Sequence, residues 1–271
     1  MKFSRGGGHF RIVVWTTVGV VVLGLAAVVV WNRDLHHASA ANPGISCPGV
    51  VAPKHHHPPL TAVGVHRVAL VGDSIMSQAS CSAAESLANV GIQTYRYAVP
   101  GTGLLTGLDW VSHIKQILQS DHPDVVVAEF VGNYFGPPAK TADGRPIAAG
   151  SPEFIDAWNQ RARALSDAVR AAGAQMYWVS PPPMAKGAFQ NARQLFEGYA
   201  SIDGDHVLDS GTVLAGPDGN EVIQKETCGH LHVIRSPDRI HLTDDGARLY
   251  GQQIAHDLTA QRGLFTTPQP C

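Results

Sequence analysis

Charge is scarce in this chain. Only 15% of its 271 residues are Asp, Glu, Lys or Arg, and the formal net charge is −2. A nucleic-acid-binding surface needs a basic face, so no nucleic-acid partner is expected. No two of the four cysteines (Cys47, Cys81, Cys228, Cys271) stand in C-x-x-C spacing, which argues against a metal site built on them. No internal repeat is present, so a solenoid or propeller is excluded. What remains is an ordinary 44% hydrophobic content, enough for one sizeable domain with its own core plus appendages.

The longest uncharged stretch is IVVWTTVGVVVLGLAAVVVW, Ile12 to Trp31. Twenty residues at ~1.5 Å rise span ~30 Å, the thickness of a bilayer core. Trp15 and Trp31 lie near its ends, as an aromatic belt would place them. Lys2, Arg5 and Arg11 precede it, and Arg33 stands almost alone after it. The positive-inside bias then leaves residues 1–11 in the cytoplasm and makes 12–31 a single-pass anchor, with the rest extracytoplasmic. The competing reading is a cleaved signal peptide, for which Ala38-Ser39-Ala40 has the small-x-small form. The run is longer than a ~7–15-residue signal core, which favours the retained anchor. No cysteine directly follows it, so lipid attachment there is not expected. All four cysteines fall on the outer side, where an even number points to disulfides, with three connectivities open.

Residues 32–64 read as a tether, carrying Pro43, Pro48, Pro53, Pro58 and Pro59 without an apolar period. Its Lys54-His55-His56-His57 tract offers no fixed geometry for a metal and reads as solvated linker. From 65 to 271 short β-branched or aromatic runs alternate with helical patterns. Strands are predicted at Arg67–Val71, Ile92–Ala98, Asp124–Phe130, Gln175–Val179 and His206–Leu208. Helices are predicted at Met76–Asn89, Gly107–Gln119, Pro152–Ala172 (Ser151 as cap, Pro152 at its first position), Gly187–Ala200 and Asp244–Arg262 with Thr243 as cap. Such alternation implies a parallel sheet covered by helices on both faces, with its chemistry at the carboxyl ends of the strands.

Four polar motifs sit at such positions. Gly72-Asp73-Ser74 follows the first strand and opens a helix, whose free N–H groups favour an anion. Alone, a serine there is more often a cap. Val99-Pro100-Gly101-Thr102-Gly103 follows the second strand, where an ordinary turn is the usual explanation. Gly132-Asn133 follows the third; the asparagine amide could donate to an oxyanion or simply make an Asx turn. Near the end, Asp238-Arg239-Ile240-His241 places a carboxylate and an imidazole three apart. A carboxylate at Nδ1 leaves Nε2 free to take a serine proton, while the bland alternative is a capping Asp238 and a structural His241. Trp110, Tyr134, Phe135 and the Ser180–Met184 loop could shape a pocket or be packing. Arg235 and Arg239 could hold an anionic group, with a solvated surface role as the default.

Taken together, the ordered set Ser, Gly, Asn, Asp-x-x-His resembles the four blocks of the SGNH, or GDSL-like, hydrolase superfamily over about Arg67 to Arg262. The first block reads GDSI here. The resemblance implies a three-layer α/β/α sandwich of the flavodoxin-like kind with a five-stranded parallel sheet. It implies Ser74 as nucleophile, His241 as base and Asp238 as its partner. The oxyanion hole would be the Ser74 N–H, the Gly101 N–H and the Asn133 side chain, with Gly103 as alternative to Gly101. No metal or organic cofactor is implied. The expected function is serine-dependent hydrolysis of an acylated small molecule or envelope glycan. O-acyl transfer onto a saccharide hydroxyl is the alternative, and a binding module on an inactive fold is a third reading that four intact blocks oppose.

Overall fold

The computed structural model describes residues 49–52, 64–131, 133, 140, 144–184, 192–204 and 206–263. The chain divides into the units Met1–Ala38 and Ser39–Cys271, and every described residue lies in the second. The expected anchor at 12–31 and the histidine tract at 54–57 fall outside the described residues. Among those described, no helix is long and apolar enough to cross a membrane.

The strands are β1 Val50–Val51, β2 Arg67–Gly72, β3 Gln93–Arg96, β4 Val125–Glu129, β5 Gln175–Val179, β6 Val207–Leu208, β7 Gln224–Thr227 and β8 His230–Val233. The helices are α1 Ser74–Asn89, α2 Trp110–Asp121, α3 Pro152–Ala171, α4 Ala192–Asp203 and α5 Asp244–Gln261. The main sheet runs β1-β3-β2-β4-β5-β6. Strands β2 to β6 pair in parallel, in register Val68–Val125 and Val126–Met176 across the centre.

The five-stranded parallel expectation is corrected at one edge. Val50–Val51 pairs antiparallel with Thr94 and Tyr95, giving a sixth strand. Part of the segment read as tether therefore belongs to the sheet. Two consecutive β-branched residues suit an edge, but two residues are too short to show a period. A second departure is the β7–β8 hairpin, read as no element at all. Its polar β7 carries no apolar alternation, and its two-residue turn puts Cys228 and Gly229 at positive φ (49° and 76°). Such a turn favours Asn-Gly or Asp-Gly, so Cys-Gly gave no signal.

Each central strand feeds both faces, because successive side chains alternate. Val68, Leu70, Val125, Val127, Tyr177 and Val179 pack on one side against α1 and α5. Ala69, Val71, Val126, Ala128, Met176 and Trp178 pack on the other against α2, α3 and α4. The result is the expected α/β/α layering. Helix α1 is drawn against α5 at Gly251, where a Cβ would lie 2.2 Å from Ala79 O. The layers thus fix α1 and the loop before α5, the two elements that carry the candidate residues Ser74, Asp238 and His241.

Candidate active site

The turn from β2 into α1 is built around Asp73. It is fully buried and caps α1, accepting from Ile75 N–H at 2.9 Å on Oδ1. Its Oδ2 accepts from Val131 N–H, also at 2.9 Å, tying the Ser74 turn to the chain leaving β4. Gly72 makes this close approach possible: a Cβ there would sit 2.1 Å from Glu129 O. Ser74 follows as the first residue of α1, half-buried. Because Asp73 supplies the cap, the Ser74 hydroxyl is left for other work.

His241 meets it from the far end of the chain. Its Nε2 is 3.1 Å from Ser74 Oγ, and its Nδ1 is 2.6 Å from Asp238 Oδ2. The other oxygen, Asp238 Oδ1, accepts from the N–H groups of Ile240 (2.9 Å) and His241 (3.0 Å). Burial alone would raise the Asp238 pKa. The bonds from the His241 ring and from the two amides outweigh it and hold the carboxyl at about 2. An ionised carboxylate only accepts, so Nδ1 carries the hydrogen and Nε2 is the acceptor facing Ser74. Both side chains remain open to solvent, 41% exposed for His241 and 44% for Asp238.

The loop that carries this pair is clamped. Arg239 takes a left-handed φ of 62°, Ser236 N–H bonds His241 O at 2.9 Å, and Arg235 bridges Leu242 across the base. Gln78, one helical turn after Ser74, both donates to Leu242 O and accepts from Leu242 N–H at 3.0 Å. Arg235 is 2% exposed and donates to Ile240 O and to Pro183 O, both at 2.7 Å. Burial lowers its pKa to about 10, partly offset by Glu221 and other nearby negative groups, so the guanidinium stays charged at neutral pH. The surface role expected for Arg235 is therefore corrected: two carbonyls from separate loops need one rigid donor. Arg239 pairs at 2.9 Å with Glu221, so its charge is already matched by a carboxylate. Gln78 and Arg235 could not be found from spacing as clamps, since Leu242 and Pro183 lie far from them along the chain.

Lysine cannot span both carbonyls as guanidinium does. Arg235→Lys is expected to lower the melting temperature. It should also lower kcat by about 10- to 100-fold, the cost of a slackened reactive geometry, with KM nearly unchanged. Steady-state kinetics beside a thermal melt decide this; full kcat with a lowered melting temperature would make Arg235 purely structural.

The remaining two motifs lie beside each other. Asn133 has φ 64°, its Nδ2 donates to Thr102 O, and Thr106 Oγ1 donates to Asn133 O at 3.1 Å. Gly101 has φ 78° with open space where a Cβ would stand. The Gly103 N–H is spent on Thr106 O at 2.9 Å, whereas the N–H groups of Gly101 and Ser74 have no acceptor among the described residues. Trp110 is packing, fully buried with its ring 5.0 Å from Phe130. Ser180 is also structural: it bonds Asp209 and Gly211 N–H, and its carbonyl accepts from Tyr250. Tyr134 and Phe135 fall outside the described residues. A cleft of about 340 Å³ between α1 and α5 is lined by Gln78, Glu85, Asp245 and Arg248 and by none of Ser74, Asp238 and His241. Cys81 and Cys228 are both disulfide-bonded; Cys47 and Cys271 lie outside the described residues. Among the described residues no three His, Cys, Asp or Glu side chains converge as a metal site would need.

A parallel sheet with Ser74 after its first long strand and an Asp-His loop before its last helix defines the SGNH class of folds. The chain belongs to the family described as "Protein of unknown function (DUF459)", which matches residues 67–257. No curated protein matches it in sequence. Among solved structures it is similar to a psychrotrophic esterase from Pseudoalteromonas sp., with 12% identity and a TM-score of 0.51 over 73% of this chain and 99% of that one. It is similar to a GDSL-like lipase from Bacteroides thetaiotaomicron, with 13% identity and a TM-score of 0.51 over 76% and 92%. It is also similar to an acetylxylan esterase from Geobacillus stearothermophilus, with 12% identity and a TM-score of 0.50 over 74% and 95%.

Proposed function

We propose that this protein is a serine ester hydrolase that acts through an acyl-enzyme on an O-acylated substrate. The observation that carries the reading is the unbroken relay from Asp238 through His241 to Ser74 Oγ. His241 Nε2 takes the serine proton as Oγ attacks the ester carbonyl, and the imidazolium is stabilised by Asp238. The carbonyl oxygen becomes an oxyanion, for which the proposed donors are the Ser74 and Gly101 N–H groups, which have no acceptor among the described residues, and the second N–H of the Asn133 amide. Such a donor is worth ~3 kcal/mol. His241 then returns the proton to the leaving alcohol, and water activated by the same base releases the acid. None of these steps calls for a metal or organic cofactor.

An acylated glycan of the cell envelope is the substrate class this reading favours. The likeness to an acetylxylan esterase supports an ester on a sugar. The apolar run at 12–31 supports a single-pass anchor with the domain held outside the cytoplasmic membrane. The open, half-exposed triad suits a bulky substrate better than a buried one would. The test is acid release from an acetylated oligosaccharide, run with and without a second saccharide as acceptor. Free acetate supports the hydrolase; acetate found on the acceptor would make the protein an acyltransferase using the same residues. No reaction with either, and no labelling by a fluorophosphonate, would leave the fold as a binding module. The anchor has its own test: the protein should stay with membranes through a high-salt wash and need detergent for release. A mature N-terminus at Ala41 would show a cleaved signal instead.

A further inference from the structure

The buried acid Glu129 has no part in the steps above. It is the last residue of β4, opposite Gly72 in the sheet register. Its carbonyl oxygen accepts from Asp73 N–H at 3.4 Å, so its backbone forms the seam between the two strand ends. Its side chain is completely buried; neither carboxyl oxygen makes a well-formed hydrogen bond among the described residues, and the Met76 N–H of α1 is the backbone donor that acts on it. The titratable groups that face it are Asp73 from the nucleophile turn, Arg235 from the Asp-His loop and Tyr250 from α5. Asp73 accepts two backbone N–H bonds and is thereby built to carry charge. Arg235 supplies one positive charge, and burial keeps the Tyr250 phenol neutral. The Arg235 charge is already shared with Glu221 and Asp238, so a second carboxylate beside Asp73 would be buried without a counter-ion of its own, with the Met76 N–H contact alone to offset it.

We propose that Glu129 is a positioning residue that works as the neutral carboxylic acid, completing the buried layer that locks the Ser74 turn to the Asp238–His241 loop, so that loss of its proton disables the site at alkaline pH. Its kinetic consequence rests on the hydrolase reading; its effect on stability does not. Burial pushes the carboxyl well above the usual range and the charge of Asp73 adds to this; the Met76 N–H and Arg235 pull back without reversing it. Ionised, Glu129 would repel the Asp73 carboxylate, which holds the start of α1 and the chain leading to Asn133. It would also draw Arg235 away from Ile240 O, which supports His241. Both halves of the site would move together.

The unfolded acid loses its proton near ~4.3, while the folded one keeps it, so between those two points the folded chain holds one proton more. Stability is therefore full below the unfolded value and falls as pH rises, by about tenfold in the folding constant per pH unit, until Glu129 ionises in the fold. The experiment uses the full chain in detergent, as wild type, Glu129→Gln and Glu129→Leu, from pH 5 to 9. Urea unfolding and kcat with p-nitrophenyl acetate are read at each pH. The folding constant of Glu129→Gln relative to wild type should climb by about tenfold per pH unit above pH 5. Glu129→Leu should lose kcat at unchanged KM, and Glu129→Gln should restore it and hold it at alkaline pH where the wild type declines. Parallel stability curves for wild type and Glu129→Gln would overturn the neutral acid, and so would Leu and Gln variants of equal kcat at every pH. If no form turns over the ester, the hydrolase reading fails, and the unfolding curves still decide the protonation state.

Discussion

Ser74→Ala is expected to lower kcat/KM for short p-nitrophenyl esters by about 10⁶-fold, the scale of losing a nucleophile from such a relay. Stability should change by no more than about 0.5 kcal/mol. The two expectations are separable because of Asp73. In many helices the serine at this point would be the cap, and its loss would cost the helix about 1 kcal/mol. Here Asp73 caps α1 and stitches it to Val131, so the only hydrogen bond Ser74 Oγ makes among the described residues is the one to His241 Nε2. Alanine is also the best helix former, so the first turn should persist. The variant should fail to react with a fluorophosphonate while its circular dichroism and melting temperature match the wild type. Retained turnover in such a well-folded variant would show that the relay is not the catalyst.

Strand β5 was legible at both ends because a buried parallel strand is a short β-branched and aromatic run cut off by turn residues, here Gly173 before and Pro181 after. Helix α3 was equally legible: Ser151 caps it by accepting from Phe154 N–H at 3.2 Å, with proline in the first turn. Within the described residues helix α4 covers Ala192–Asp203, and so runs past the end at Ala200 that its apolar pattern suggested. The Asp203 carboxylate accepts from Trp178 Nε1 at 2.7 Å, a contact between helix and strand that no local pattern records. The site follows the same division. Ser74 and the Asp-x-x-His loop were visible as candidates because each is a short motif of chemically apt residue types. Arg235, Gln78 and Glu129 were not. A charge or amide in a sequence reads as surface until a distant backbone, Pro183, Leu242 or Gly72, is folded against it. The edge strand Val50–Val51 was hidden for the same reason, its partners Thr94 and Tyr95 lying more than forty positions on.

Asp238→Asn is expected to damage the site more than Asp238→Ala does, by about 10⁴-fold in kcat at neutral pH. The reason lies in the two unequal oxygens of this carboxylate. Oδ1 accepts from two backbone N–H groups, while Oδ2 alone faces His241 Nδ1. An asparagine has one oxygen, and the two amides will claim it. Its NH₂ then faces Nδ1 and donates, which forces Nδ1 to accept and moves the ring hydrogen to Nε2. In that tautomer His241 cannot take the serine proton. Alanine leaves a gap open to water, which can accept from Nδ1 and keep the useful tautomer, so it should cost less. The carboxyl, held at about 2, fixes the pH range of the comparison. It contributes to stability above its unfolded value of ~3.9, and that contribution fades only as pH falls through about 2. Between pH 5 and 8 the wild-type carboxylate is therefore ionised throughout, so its own titration does not enter the comparison. Kinetics of the two variants over that range, beside a melting curve for each, decide the matter. Equal kcat in the Asn and Ala variants would sink the tautomer argument, and wild-type kcat in both would remove Asp238 from the relay.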